Sequence, residues 1–250
     1  FSWNGHVYAQ LFDASGDTVG GNFEVGDGSG SEYVSDVAAS DSGFMITWYD
    51  YRNGNSDIYA QRYKSNGEAV GGNFLVDDGG NNQYAPRIAS NGSGYVIAWY
   101  DDRSGNWDIY AQRFDVNGDT LGGNFLVDDG GYYQYEPSVA MADSGFVITW
   151  YDYRYDGGYS DIYAQQYKIN GDTIGGNFRV NDDAQGVAYH YYPSVSISPD
   201  GHNVVVAWED YRNDPSGYVA QIMAPKYVDG VAVGGHVAGN GKGLAQREFR

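Results

Sequence analysis

The sequence contains no cysteine and few basic residues, with 14 Lys and Arg against 33 Asp and Glu in a chain of 250 residues. The lack of cysteine excludes disulfides, thiol nucleophiles, iron–sulfur clusters and cysteine-based zinc sites. The shortage of cations gives a formal net charge of −19, which is repelled by a phosphate backbone and by an anionic lipid surface. Neither nucleic acid nor an acidic membrane is therefore expected as a partner.

Long apolar runs are also missing. No stretch approaches the roughly 18 apolar residues that a membrane-spanning helix needs, so no membrane insertion is expected. In contrast, the chain has 37 glycines, 25 tyrosines and 16% aromatic residues, within a hydrophobic content of 42%. This composition is sufficient for a sizeable core and is typical of a turn-rich, all-β globular protein.

A repeat of about 50 residues organises the chain. The segment DIYAQ occurs at 57–61, 108–112 and 161–165, with the weaker copies HVYAQ at 6–10 and GYVAQ at 217–221. The central residues of these five copies are 51, 51, 53 and 56 positions apart. A period of this length lies in the range of propeller blades and exceeds that of most helical repeats.

Four strand-sized segments recur within each period. In the best-conserved period they cover 84–90, 95–100, 108–114 and 124–127, and Gly, Asn, Asp and Ser turns separate them. The second and third segments are apolar on both alternating faces, which indicates cover on both sides by neighbouring sheets. We therefore predict an all-β fold, a β-propeller of four-stranded blades.

Tryptophan positions suggest the number of blades. Trp3, Trp48, Trp99, Trp150 and Trp208 all end the second strand of a repeat, so we predict five blades in a single domain over 1–250. The repeats are 1–31 (partial), 32–82, 83–133, 134–188 and 189–242. The tail at 243–250 is expected to supply the innermost strand that the first repeat lacks and so to close the ring. The alternative is a five-repeat excerpt of a longer array.

One rim of such a propeller collects the loops richest in Asp, Asn, Tyr and Arg. Four Asp-x-Arg pairs lie there, directly after the second-strand tryptophans: Asp50/Arg52, Asp101/Arg103, Asp152/Arg154 and Asp210/Arg212. They could bind a polyhydroxyl or carboxylated ligand through bidentate hydrogen bonds. The second interpretation is an ion pair that ties each loop to a neighbouring blade.

The same rim carries runs of acidic residues that offer oxygen ligands for Ca²⁺. The candidate metal ligands are Asp77, Asp78, Asp128, Asp129, Asp182 and Asp183. None follows the spaced pattern of a helix–loop–helix calcium site, and turn chemistry favours the same residue types. Ca²⁺ is thus a possible cofactor and no other is indicated.

Rim aromatics beside amides and carboxylates are suited to sugars, because a flat ring packs on C–H faces while polar groups bind hydroxyls. The candidates are Trp107, Tyr132, Tyr133, Tyr189 and His190. The loop that contains Tyr189 and His190 departs most from the repeat. Packing over blade edges is the alternative role for these rings.

Signals for catalysis are few. The four histidines have no metal-ligand spacing, and the sequence has no G-x-S-x-G elbow, Walker loop or dinucleotide-binding fingerprint. Near-identical blades argue against a unique catalytic centre. The exception would be a centre on the propeller axis or around His190.

The repeat, DIYAQRF…GGNF.V…P.VA…GFVI.WYD, resembles a repeat of secreted and surface-attached bacterial proteins, including adhesin-like ones. The resemblance covers nearly the whole chain and is clearest over 33–180. It implies an extracellular or cell-surface β-propeller and carries no established catalytic residue. The fold is more loosely similar to sialidase-like propellers and five-bladed lectins, although no sialidase-type arginine triad is recognisable.

These observations favour a secreted, non-enzymatic adhesion module that binds a glycan or another surface ligand at several weak sites. The first alternative is a self-assembling subunit of an extracellular filament or surface layer. The second is a polysaccharide-degrading enzyme with its centre near His190.

Overall fold

The computed structural model describes residues 5–28, 30–77, 79–128, 130–154, 158–212, 221–223, 226–228 and 231–233. These residues form antiparallel strands joined by turns and contain no helix, and hence no helix long and apolar enough to cross a membrane. The all-β prediction is confirmed.

The first sheet has two strands, β1 (Tyr8–Phe12) and β2 (Thr18–Glu24). Three four-stranded sheets follow, each ordered as in the chain. Their strands are β3 (Glu32–Ser40), β4 (Gly43–Asp50), β5 (Asp57–Lys64), β6 (Ala69–Leu75); β7 (Gln83–Ser90), β8 (Gly94–Asp101), β9 (Asp108–Asp115), β10 (Phe125–Asp128); and β11 (Gln134–Ala142), β12 (Gly145–Asp152), β13 (Asp161–Lys168), β14 (Thr173–Arg179).

The last sheet is less regular. Its first two strands match those of the other blades, and three short strands take the place of the outer two. The strands are β15 (His190–Ile197), β16 (Asn203–Asp210), β17 (Gln221–Met223), β18 (Lys226–Val228) and β19 (Val231–Val233). β17 and β18 both pair with β16, and β19 pairs with β18. Trp3 and the tail at 243–250 lie outside the described residues, so five blades closed by the tail remain a prediction.

Apolar cores lie between neighbouring blades. Val96 and Ile109 of the β7–β10 blade pack with Ile148 and Trp150 of the next blade in one buried cluster. The second and third strands are buried on both faces, as the sequence pattern predicts. Four second-strand tryptophans are among the largest fully buried side chains: Trp48, Trp99, Trp150 and Trp208.

Innermost strands carry a bulge near their start. The register between β11 and β12 shifts between Tyr135 and Ser138, and the same shift occurs in the other three innermost strands. In three blades the bulge holds a non-glycine residue at positive φ, directly before a proline: Ala85 at 49°, Glu136 at 47° and Tyr192 at 51°. This conformation costs about 1–3 kcal/mol per residue, and such strain persists mainly at functional sites.

The buried tryptophans are predicted to dominate stability. Trp99→Ala should lower the free energy of unfolding by about 3–5 kcal/mol, because it leaves a large cavity between two blades. Denaturant unfolding followed by circular dichroism measures the loss. Leu121→Ala, at a side chain that is 43% exposed, is the control and should change stability by less than about 0.5 kcal/mol. Equal effects for the two variants would contradict the interblade core.

Candidate functional site

Each Asp-x-Arg pair forms an interblade latch, illustrated by Asp101 and Arg103. The buried Asp101 carboxylate accepts hydrogen bonds from the Trp99 indole at 3.4 Å and from the Arg103 backbone N–H and Nε at 2.7 and 2.9 Å. The Arg103 guanidinium also pairs with Asp77, in the linker from the preceding blade, and lies 4.1 Å from the centre of the Tyr110 ring. Arg103 therefore joins two blades.

The other three pairs share this interblade ion pair. Their guanidinium groups reach the linker carboxylates of Asp27 and Asp182 and the carboxylate of Asp128, which ends β10. The four aspartates of the pairs are at most 2% exposed. The contacts fit the second interpretation of the pairs, an ion pair that ties each loop to a neighbouring blade. The pairs are Asp50/Arg52, Asp101/Arg103, Asp152/Arg154 and Asp210/Arg212.

The candidate calcium ligands have other partners. Asp77 and Asp128 are buried against Arg103 and Arg154 and accept amide hydrogen bonds at 2.7 and 2.8 Å from Asn124 and Asn177. At both aspartates an arginine of the protein binds the carboxylate for which the sequence suggested Ca²⁺. Asp182 is exposed and pairs with Arg212 at 2.6 Å, whereas Asp183 adjoins His190. Asp78 and Asp129 lie outside the described residues.

His190 is not a rim residue. It begins β15 and is 0% exposed, because its side chain points toward the preceding blade at the position held by Gln83 and Gln134 elsewhere. Burial lowers the pKa of His190, but the carboxylates of Asp183 and Asp210 outweigh burial and raise it to about 9. A solvent-facing role for His190, whether in ligand binding or as a catalytic centre, is therefore wrong.

An unbroken series of tyrosines runs across the blades at the ends of the second strands and the starts of the innermost strands. Rings of adjacent blades meet edge to face, with centroid distances of 5.1 Å for Tyr49–Tyr84, 5.3 Å for Tyr100–Tyr135 and 5.1 Å for Tyr151–Tyr191. Cross-strand contacts of 5.5 to 5.7 Å link the pairs within each blade. We call this series the tyrosine arc: Tyr33, Tyr49, Tyr84, Tyr100, Tyr135, Tyr151 and Tyr191.

Glu136 lies inside the tyrosine arc. It directly follows Tyr135 of the arc. Burial is the main cause of the raised pKa of Tyr49, Tyr100 and Tyr151, and the charge of Glu136 contributes to all three, after neighbouring tyrosines in the case of Tyr49 and Tyr151. The side chain is 26% exposed and its Oε2 lies 3.4 Å from an Arg87 guanidinium nitrogen. Burial raises the pKa of Glu136, and Arg87 opposes that shift.

A second carboxylate continues the arc in the last blade. Glu209 pairs across the sheet with Tyr191, where Tyr49, Tyr100 and Tyr151 stand in the other blades. It accepts a hydrogen bond from the Tyr211 hydroxyl at 3.2 Å. The arc therefore joins a carboxyl group with a raised pKa, a second carboxylate and a row of aromatic faces.

Three of the aromatic residues singled out in the sequence border this arc. Trp107 contacts the rings of Tyr84, Tyr100 and Tyr135, and Tyr133 and Tyr189 stack on arc tyrosines. Tyr132 is 45% exposed on the rim.

Sequence reasoning missed Glu136, Arg87 and Glu209. A signal for Glu136 existed, because three repeats read Tyr-x-Pro and only the middle residue varies among Ala85, Glu136 and Tyr192.

No protein-family model matches this sequence, and no curated protein is significantly similar to it. Solved structures are similar in fold. The Trypanosoma rangeli sialidase in complex with the inhibitor DANA aligns over 92% of this chain and 40% of its own, with a TM-score of 0.53 and 11% identity. The endo-arabinase of Bacteroides thetaiotaomicron aligns over 91% and 94%, with 0.51 and 12%. A putative glycoside hydrolase of Bacteroides ovatus aligns over 91% and 76%, with 0.50 and 9%.

These neighbours confirm the β-propeller and correct the first functional expectation. By their names they are mostly enzymes that act on glycans, which contradicts the expectation of a non-enzymatic adhesion module. They lend no support to self-assembly. No sequence comparison confirms the family of the repeat.

The latch can be tested by removing one cation. Arg103→Met should lower the free energy of unfolding by about 3 kcal/mol, because it leaves Asp77 and Asp101 buried without a counter-charge. Denaturant unfolding is the measurement. Lys64→Met, which removes an exposed ion pair with Glu68, is the control and should cost less than about 1 kcal/mol. A loss for Arg103→Met no larger than the control would show that the guanidinium does not hold the blades.

Proposed function

We propose that this protein is a glycoside hydrolase that binds a glycan along the tyrosine arc and cleaves it with Glu136 as general acid. The observation that carries the proposal is the setting of Glu136, a partly exposed carboxyl group with a raised pKa among tyrosines of three blades. Carboxylic acids tuned in this way protonate the leaving oxygen of a glycosidic bond. The enzymes among the structural neighbours support the same reaction class.

The roles follow from the chemistry of each group. Aromatic faces of the arc pack on the C–H surfaces of sugar rings, and the hydroxyls of the tyrosines bind sugar hydroxyls. Glycosidases pair the acid with a second carboxylate that activates water or attacks the sugar. Glu209, on the same arc, is our candidate for that second role. Glu136 occupies the bulge position at positive φ that Ala85 and Tyr192 occupy in other blades, so the repeat itself sets the place of the acid.

The length of the tyrosine arc favours a polymeric glycan as the substrate. The arc extends across four blades and is bordered by Trp107, Tyr133 and Tyr189, a surface longer than one sugar ring needs. An extracellular location, which the resemblance of the repeat implies, suits such a substrate and is part of this proposal.

The catalytic assignment is tested with Glu136→Gln. This variant keeps the size of the side chain but cannot donate a proton as an acid, so kcat/KM should fall by about 10²–10⁴-fold. Release of reducing ends and shortening of polymer chains are measured on a panel that includes arabinan, xylan, pectin and sialylated glycans. Glu68→Gln, at an exposed hairpin turn, is the matched control and should retain activity.

Two results would contradict the proposal. Wild-type protein that leaves every polymer on the panel unchanged after long incubation would remove hydrolysis itself. Full activity of Glu136→Gln would remove Glu136 as the acid.

The pH dependence of activity reports on Arg87. Glu136 acts in its protonated form, so kcat/KM falls as pH rises through its pKa. The positive charge of Arg87 lowers that pKa. Arg87→Gln should therefore move the alkaline side of the kcat/KM profile upward by about one pH unit. Arg62→Gln, on β5, should leave the profile unchanged. A downward shift or no shift in Arg87→Gln would show that Arg87 does not lower the pKa of the catalytic acid.

A further inference from the structure

The junction between the β11–β14 blade and the last blade departs from the repeat. In the two preceding junctions, the side-chain oxygens of Gln83 and Gln134 each accept the backbone N–H of a third-strand isoleucine at 3.2 Å. Here His190 replaces the glutamine, and Asn181 Oδ1 accepts the equivalent Ile162 N–H at 2.9 Å. The backbone contact is preserved without His190, so the imidazole is free to take a different role.

The imidazole of His190 is oriented by a backbone carbonyl. Its Nδ1 lies 2.7 Å from the Ser160 carbonyl oxygen, which can only accept, so Nδ1 carries the proton. Its Nε2 lies 3.3 Å from Asp183 Oδ2 and 3.4 Å from Asp210 Oδ2, and neither contact has hydrogen-bond geometry. Asp183 Oδ2 is also buried without a donor. With Nε2 unprotonated, two buried acceptor atoms therefore face each other, an arrangement that only a cation between them satisfies, either a proton on Nε2 or a metal ion that takes its place.

The surroundings are negatively charged and contain further ligand atoms. Asp161, Asp183 and His190 each offer one ligand atom, and these atoms all lie within 4.8 Å of one another. Two guanidinium groups, Arg179 and Arg212, face four carboxylates in this junction, which leaves two negative charges when His190 is neutral. The four carboxylates are Asp161, Asp182, Asp183 and Asp210.

We propose that this junction binds a divalent transition-metal ion of the zinc type through His190 Nε2, Asp183 and Asp161. Around a tetrahedral zinc with bonds of about 2.0–2.1 Å, two ligand atoms lie about 3.3 Å apart, which matches the separation of His190 Nε2 from Asp183 Oδ2. An imidazole nitrogen among the ligands favours zinc and its neighbours over Ca²⁺, which prefers oxygen alone. The Ser160 carbonyl supplies the outer hydrogen bond that metal-binding histidines need.

The ion has a structural role and is independent of the glycan site. His190 is 0% exposed and belongs to the face of β15 opposite to Tyr191 of the arc, so no substrate reaches it. The three ligands come from β13, β15 and the linker between the two blades. One ion therefore holds the start of the less regular last blade against its neighbour.

The test compares metal binding by the wild-type chain with that of His190→Gln. The variant introduces the residue that the two regular junctions carry, so it should fold. Each protein is stripped with chelator, dialysed against ZnCl₂ and analysed for metal content and thermal unfolding. We expect one zinc per wild-type chain and a rise in Tm of about 5–10 °C at a hundredfold excess over Kd. His190→Gln should bind zinc at least about 100-fold more weakly and show no rise.

Two control variants locate the ion. His202→Gln, at an exposed turn, should bind zinc as the wild type does. His6→Gln removes a ligand from a second group of the described residues that could hold a metal, His6 with Glu24 and Glu32, and should also leave the zinc content unchanged. The proposal is overturned if the wild type binds no zinc, if His190→Gln binds it equally well, or if only His6→Gln loses it.

Discussion

A buried carboxylate ends the second strand of each of the four blades whose second strands are described, and the rest of the structure depends on this constraint. Removing such a charge from water costs several kcal/mol unless cations and hydrogen-bond donors surround it. In these four blades the tryptophan indole, the backbone N–H and the guanidinium two residues on supply these partners. The same guanidinium also contacts the linker that starts the blade. A chain with only 14 basic residues thus commits four arginines to joining its blades.

The latch also determines where the tyrosine arc lies. Each latch fixes the end of a second strand and the start of the innermost strand beside it, and these are the two places that supply the arc. Tyr100 and Tyr135 meet across blades for that reason. The bulge that follows places one residue at positive φ in three of the blades, namely Ala85, Glu136 and Tyr192. Near-identical blades were expected to disfavour a unique centre, but they provide equivalent positions in which a single glutamate differs from its counterparts.

Much of the fold was predictable from the sequence because it depends on periodic features. The repeat spacing, the strand pattern and the tryptophan at the end of each second strand can all be recognised from local residue types. The partners of charged residues were not predictable in this way. Arg103 could bind a ligand or Asp77 equally well on sequence grounds, and only the packing of two blades decides between them. The sequence places His190 in a loop that departs from the repeat. In the structure His190 is the first residue of β15, where it pairs with Asp210 and is buried.

The two proposed sites share a physical origin in departures from the repeat. Several latches and interblade cores contribute to stability. A substitution at one position that keeps the latch intact therefore changes the free energy of unfolding only through its own contacts. Glu136 stands where another blade has Ala85, and Glu209 stands where the other blades have tyrosine. His190 replaces a glutamine whose backbone contact Asn181 takes over. In a repeat protein of this kind, the positions that differ among equivalent blades mark function more clearly than the residues that recur, because the recurring residues are already committed to holding the blades together.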